Sequence, residues 1–242
     1  SAMENVTKLK KIEKFESLKE KIYNILLENI IEGNLAPSEQ LTEQVLARWL
    51  GVSKSPVRDA LHCLIGDGLV VNIPYKGFYV ASLSLKEFSE LMHVRMALEL
   101  FCLEGLIERF SDDDIAEFAR IMEQAERSLD KGNTLSTHES HLDFHLLIVS
   151  KYGNEHMLNI YDKNRKRLKR YLRANVKRIP ERIEVSYKFH LKMLEMIKQK
   201  NKAGAVGELK NHLYDIQESM MSAMKESMLP DQGAAGADGN PG

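Results

Sequence analysis

Histidines are the residues whose types and spacing suggest chemistry first. The chain holds eight of them. His141 and His145 stand four apart in a stretch of helical periodicity, which puts both imidazoles on one face about a turn apart. His190 and His212 fall near the middle of two later helical stretches. An i,i+4 pair joined by histidines from two further helices can converge inside a bundle on a divalent cation that prefers imidazole nitrogen. Spacing alone does not single out that use, because isolated helical histidines are more often hydrogen-bonded core or surface residues.

A second group of residues is suited to nucleic acid. Arg58 carries a planar guanidinium, whose two parallel donors match the O6/N7 edge of guanine in a way no ammonium reproduces. Lys54 and Ser55 suit phosphate or base-edge contacts. Arg48 just upstream, and Lys76 beside the flexible Gly77, would add contacts to the backbone or the minor groove. Taken singly, each of these is also an ordinary solvated group on a small domain.

The elements that must position these residues follow from composition and punctuation. The 242 residues are 43% hydrophobic but only 7% aromatic, with six prolines, a balance that favours helices over sheets. The formal net charge is -1, and residues 1–80 carry 10 Lys+Arg against 10 Asp+Glu, so overall charge announces no nucleic-acid partner. No apolar run approaches a membrane span, and the start lacks the basic-then-apolar layout of a signal peptide, so a cytoplasmic protein without a membrane partner is expected. Cys63 and Cys102 lie in apolar helical stretches without paired spacing, implying buried free thiols.

Ser1-Ala2-Met3 reads as the remnant of a cleaved tag, and residues 1–8 as a disordered start. Residues 9–81 read as a winged helix-turn-helix. Ser17 and Glu20 make a capping box for a first helix closed by Gly33. Thr42 caps a short second helix. Ser55 is expected at the N-cap of the third helix with Pro56 in its first position, which places Arg58 third. Leu69 to Ile73 and Phe78 to Ala81 form a hairpin across Pro74-Tyr75-Lys76-Gly77. Residues 82–84 are a linker, and 85–228 read as an antiparallel six-helix bundle. Its first helix is capped by Ser84 with Glu87 and runs to about Phe110; its second starts at Ser111 and ends at Gly132; the others span about 137–150, 155–175, 181–200 and 202–228. Residues 229–242 are small and Gly-rich, expected to be a disordered tail. The fold class is therefore mainly α. Residues 161–178 hold nine Lys+Arg and one acid, a run expected to be a solvated helix face, with arginines possible along an internal cavity.

The string LTEQVLARWLGVSKSPVRDALHCLIGDGLVVNIPYKGFYV closely resembles the winged helix of the GntR family of transcription regulators, over about forty residues. The resemblance implies that Arg48, Lys54, Ser55, Arg58 and Gly77 form the operator-contacting surface, in a homodimer that grips double-stranded operator DNA. Two departures are mild: Pro37-Ser38 stands where Pro-Gly is usual, and Lys54 where arginine is commoner. The helical remainder resembles the FCD effector domain (FadR C-terminal domain), and its six helices resemble the VanR-type subgroup.

In that family a D..FH helix gives an acidic ligand and a histidine, and two later helices give one histidine each. HLDFH (residues 141 to 145), YKFH ending at His190, and His212 stand at those positions, so the resemblance implies that His145, His190 and His212 are metal ligands. His141 replaces the usual Asp. Asp143 cannot substitute, because two residues rotate it about 200° around the helix. Three readings stay open: His141 ligates, His141 has dropped out, or the site is empty. Neutral ligands favour zinc or nickel over magnesium and an anionic effector as the next ligand. Arg95, four residues before Glu99, matches an arginine of the family's R..LE pattern and pairs either with an effector carboxylate or with an acidic neighbour in the bundle. The function implied is a ligand-responsive regulator, a repressor in most relatives, that binds a small carboxylate through a divalent metal. The alternatives are a metalloregulator sensing the metal itself and, further off, a metal-dependent hydrolase.

Overall fold

The computed structural model describes residues 16–175 and 178–228, with the side chains of 227 and 228 excepted. The expected disordered start and the tail from 229 lie outside the described residues.

Helix α1 (Leu18–Glu32) starts in a complete Ser17/Glu20 capping box and ends at Gly33 in the left-handed conformation, φ 82°. Ile22, Leu26 and Ile30, spaced by four, turn its buried stripe inward. Strand β1 (Gln40–Leu41), helix α2 (Glu43–Leu50), helix α3 (Lys54–Gly66) and strands β2 (Val70–Ile73) and β3 (Gly77–Val80) complete the head. β3 lies between β1 and β2, antiparallel to both. The sequence reading had only the hairpin, because a two-residue strand shows no periodicity. Ser38, at the place where the resembled pattern has glycine, takes φ 67°, and its N–H donates to Val80 O at 3.0 Å. The position keeps the backbone glycine would supply, with serine bearing the strain.

Three expectations at helix ends need correction. Thr42 precedes α2 as expected, but its side chain makes no capping bond. α3 begins two residues earlier than expected, at Lys54 after an extended Ser53. Gly51 closes α2 in the left-handed conformation, so the chain turns within two residues and the next helix starts immediately. Pro56 is therefore third in the helix, where its missing N–H still costs nothing, and Arg58 is fifth, two positions further in than expected. In the bundle, Ser84 accepts from Glu87 N, but the Glu87 carboxylate is taken by Arg167 and Tyr171 and does not close the box.

The bundle contains α4 (Leu85–Leu106), α5 (Asp112–Asp130), α6 (Thr134–Lys151), α7 (Glu155–Asn175), α8 (Glu181–Lys198) and α9 (Lys202–Met228). α4 stops four residues short of Phe110, and α6 starts at Thr134, capped by Asn133. The pairs Asp143–Arg165 and Glu139–Lys169 run α6 against α7; Ser89–Gln217 and Glu104–Lys202 run α4 against α9; Asp215–Arg182 and Glu208–Lys192 run α8 against α9. Glu99–Tyr161 and Glu87–Arg167 run α4 against α7. α4, α6 and α8 therefore point the same way, and their N-terminal ends face the head.

Head and bundle have separate cores, one around Leu26, Leu61 and Leu64, the other around Phe88, Phe118, Phe144 and Tyr171. Between them lies the basic run of α7, which is not the solvated face expected from sequence. Lys163 and Lys166 approach Asp67, which also accepts from Tyr23; Arg173 pairs with Glu32; Arg170 donates to Ala81 O. Lys163, Lys166, Arg170 and Arg173 form a strip that docks the head, while Arg165, Arg167 and Lys169 pair within the bundle.

Candidate functional site

Arg48, Lys54, Ser55 and Arg58 are all exposed, gathered around the Gly51–Ser53 turn that joins α2 to α3. Glu43, the first residue of α2, accepts two parallel bonds from Arg58, at 2.7 and 2.8 Å. That hydrogen bond holds the Glu43 carboxyl below its ordinary range. The fork is thus pre-oriented, and a base edge would have to displace a partly buried carboxylate rather than order a free side chain. Lys76 is exposed at the wing tip, with Gly77 at φ 92° beside it. Gln40 ties the wing to β1 by donating to Lys76 O at 2.8 Å. Tyr75, fully exposed at φ 64°, sits at the same tip and was not singled out from sequence.

Inside the bundle, α6, α8 and α9 bring His145, His190 and His212 together, one ring nitrogen of each within 4.8 Å of the others. All three are buried. His145 Nδ1 lies 2.8 Å from Glu99 Oε2, and His145 Nε2 lies 2.9 Å from His190 Nε2. With Nδ1–H donating to the carboxylate, the Nε2 lone pair faces the cluster. His212 stacks on Phe189 with ring centroids 3.6 Å apart, which fixes its plane. His212 Nε2 and His190 Nδ1 are buried without any partner. Burial first, and the neighbouring imidazoles next, push both of these histidines well below their ordinary pKa, so they are neutral. Neutral imidazoles from three helices, one backed by a carboxylate, are a donor set that fits a zinc-type cation.

His141 lies outside that trio. Its ring centroid is 4.8 Å from His190, its Nε2 has no partner, and burial lowers its pKa to about 3. Asp143 points away, half-exposed and 3.5 Å from Arg165, as the 200° rotation requires.

Glu99, unexposed, carries the arrangement. It accepts from Arg95 Nε at 2.7 Å, Tyr161 OH at 2.6 Å and His145. Burial raises its pKa, but the Arg95 charge and the bonds from His145 and Tyr161 prevail and hold it at about 2. Arg95 therefore does pair with an acidic neighbour, yet its Nη2 is buried and unpartnered, and Arg95 lines the same cavity as the histidines. The cavity has about 50 Å³ of room, enough for a few waters or one compact acid. His138, Arg182 and Ser186 also line it. None of these three, nor Tyr161, was picked out from sequence. His138 and His145 are seven apart on α6, and Arg182 and His190 eight apart on α8, so the same helical spacing that found the cluster could have found them.

A winged head with exposed cations, docked on a bundle that encloses a histidine-lined cavity, defines a two-domain DNA-binding regulator. The FCD domain family matches residues 90–215, more than half of the chain, and the bacterial regulatory proteins of the gntR family match residues 18–80. The chain belongs to the gntR family of transcription regulators, in the branch bearing an FCD domain. It is 29% identical over 206 residues to the HTH-type transcriptional regulator YdhC of Bacillus subtilis, covering 84% of this chain and 91% of that one. It is 26% identical over 192 residues to the gluconate operon transcriptional repressor of Bacillus licheniformis, covering 78% and 79%. The McbR/YncC structure from E. coli shares the fold, with a TM-score of 0.71 at 22% identity over 88% of this chain and all of that one. Among the described residues no helix is long and apolar enough to cross a membrane.

Proposed function

We propose that this regulator is a homodimeric, ligand-responsive repressor of the VanR-type subgroup, acting in the cytoplasm, whose bundle holds a divalent zinc or nickel ion on His145, His190 and His212 and a small carboxylate effector beside it. The observation that carries the reading is the neutral, buried histidine trio with His145 oriented by Glu99. A metal bound there would supply a Lewis-acidic anchor for a carboxylate oxygen. Arg95 would orient that carboxylate, and His141 would donate to it or join the metal. On the DNA side, Arg58 would read a base edge while Arg48, Lys54, Ser55, Lys76 and the Gly77 backbone follow the phosphates. Leu172 of α7 lines the cavity, next in the chain to Arg170 and Arg173, which hold the head. An effector that prefers one seating of α7 would bias the head placement, and operator affinity would change by that difference. The hydrolase alternative has no support: Glu99 is spent on three partners, and no unpaired carboxylate lines the cavity among the described residues.

The test is metal content by mass spectrometry, on protein purified without chelator or nickel resin, beside His145→Ala and His190→Ala. Near-stoichiometric zinc or nickel that both variants lose is the expected result. No metal after reloading, or Mg²⁺ or Mn²⁺ winning a competition, would overturn it. Operator release by the metal alone would turn the protein into a metalloregulator.

A further inference from the structure

At the head-facing end of the cavity, one to two helical turns from the histidine trio, lies a second set of donors. Arg182 precedes His190 by eight residues on α8, about 12 Å along the axis. One guanidinium nitrogen of Arg182 is taken by Asp215; the other, Nη2, is buried and unpartnered. His138 Nε2 and Arg95 Nη2 are in the same state. All three residues line the cavity. Arg95 is almost wholly buried, at 4% side-chain exposure. No carboxylate among the described residues is left to meet them, since Glu99 is filled and Asp215 sits half-exposed on the outer side of Arg182. A charged donor buried without an acceptor is costly, more so than a neutral one, and two guanidinium groups share that condition here.

We propose that Arg182 and His138 form a second anion subsite and that the effector is a short aliphatic dicarboxylate, one carboxylate at the histidine trio beside Arg95 and the other at Arg182 and His138. This rests on the metal–carboxylate reading above. Arg182 stands about two turns before His190 and His138 about two turns before His145, so their open donors are left over when one carboxylate sits at the trio, and a second acceptor group of the same ligand would meet them. Charge agrees: Arg95 is balanced by Glu99 and Arg182 by Asp215, which leaves the two charges of the metal for two carboxylates. Between the polar ends the wall is apolar, with Leu142, Ile183 and Ile216 facing the space a methylene segment would fill. The room of about 50 Å³ limits that segment to a few carbons.

The experiment is calorimetric titration of the zinc-loaded full chain with malonate, succinate and glutarate, against acetate, propionate and butyrate. The best diacid is expected to bind about tenfold or more tighter than any monoacid, as one charge-assisted guanidinium contact provides. Arg182→Met should abolish that preference while leaving monoacid affinity and zinc content unchanged. Asp215→Asn, which removes only the outer partner, should keep the preference and so controls for damage to α8. Equal binding of mono- and diacids, or an equal loss of both in Arg182→Met, overturns the dicarboxylate subsite and leaves the metal–carboxylate reading standing. If zinc is retained and no acid binds, both fail.

Discussion

Glu99 shows how one buried carboxylate settles the states of its neighbours. It draws a proton to His145 Nδ1, anchors Arg95 and Tyr161, and is fully occupied in doing so. Nothing in the spacing of sequence marks it beyond the Arg95–Glu99 interval, because His145 and Tyr161 are 46 and 62 residues away. The convergence of His145, His190 and His212 was legible, since α-helical period and three helices suffice to bring them inward; the partner that orients His145 was not, since pairing across a bundle depends on its topology. The neutral histidines also predict an acid sensitivity. Burial lowers His138 to about 4 and His141 to about 3, whereas an unfolded histidine titrates near 6.5. Below that value the unfolded chain takes up protons that the folded chain refuses, so stability that is full above it is lost as pH falls toward 4 and 3, by at most about 1.4 kcal/mol per pH unit per histidine. Metal-free protein should melt at a constant temperature above pH 7 and at falling temperatures from 6.5 to 4; a flat profile down to pH 4.5 would contradict it. On the other surface, Arg58→Ala should lower operator affinity about tenfold or more and relax preference at one base position, with melting nearly unchanged, measured by anisotropy at fixed salt.

Helix α7 was read from sequence as a solvated face because nine cations in eighteen residues usually are one. The acids that meet them are far off in the chain, Glu32 lying 141 residues before Arg173, and no local pattern reveals such a partner. The start of α3 was misplaced for the opposite reason: Ser55-Pro56 is a strong local signal, and the tight Gly51 turn overrode it. The docking strip carries its own prediction. Asp67 gathers Lys163, Lys166 and Tyr23 onto the end of α3. Asp67→Asn should change global stability by less than about 1 kcal/mol, since these lysines are partly exposed. It should nevertheless quicken hydrogen exchange where α1 meets α7, and succinate should then move operator affinity less than in the parent. Exchange unchanged across residues 18–32 would show that Asp67 does not hold the head.

At the scale of the whole molecule, the winged head and the helical bundle were legible almost throughout: the forty-residue string folds as the winged head, and the six helical stretches lie within about four residues of the expected bounds. What sequence left open was how head and bundle meet, which α7 answers. A two-fold pair of such molecules places two reading heads on half-sites about one helical turn apart. Arg48, Lys54 and Lys76 on each head would make about six phosphate contacts per dimer. The full chain is expected to elute as a dimer in light-scattering chromatography and to bind a palindromic fragment with a log–log salt slope of about -5. A monomer bound with half that slope would count against the symmetric arrangement.

The internal use of α7's cations bears on how such a molecule finds its target. The head carries as many acids as bases, and the densest basic run in the chain is turned inward against Asp67, Glu32 and Glu87. Little positive field is left over to adhere to arbitrary duplex. Bulk chromosome should therefore sequester few molecules, sliding excursions should be short, and each operator should be reached mainly through free diffusion, without a large reservoir of non-specifically bound protein.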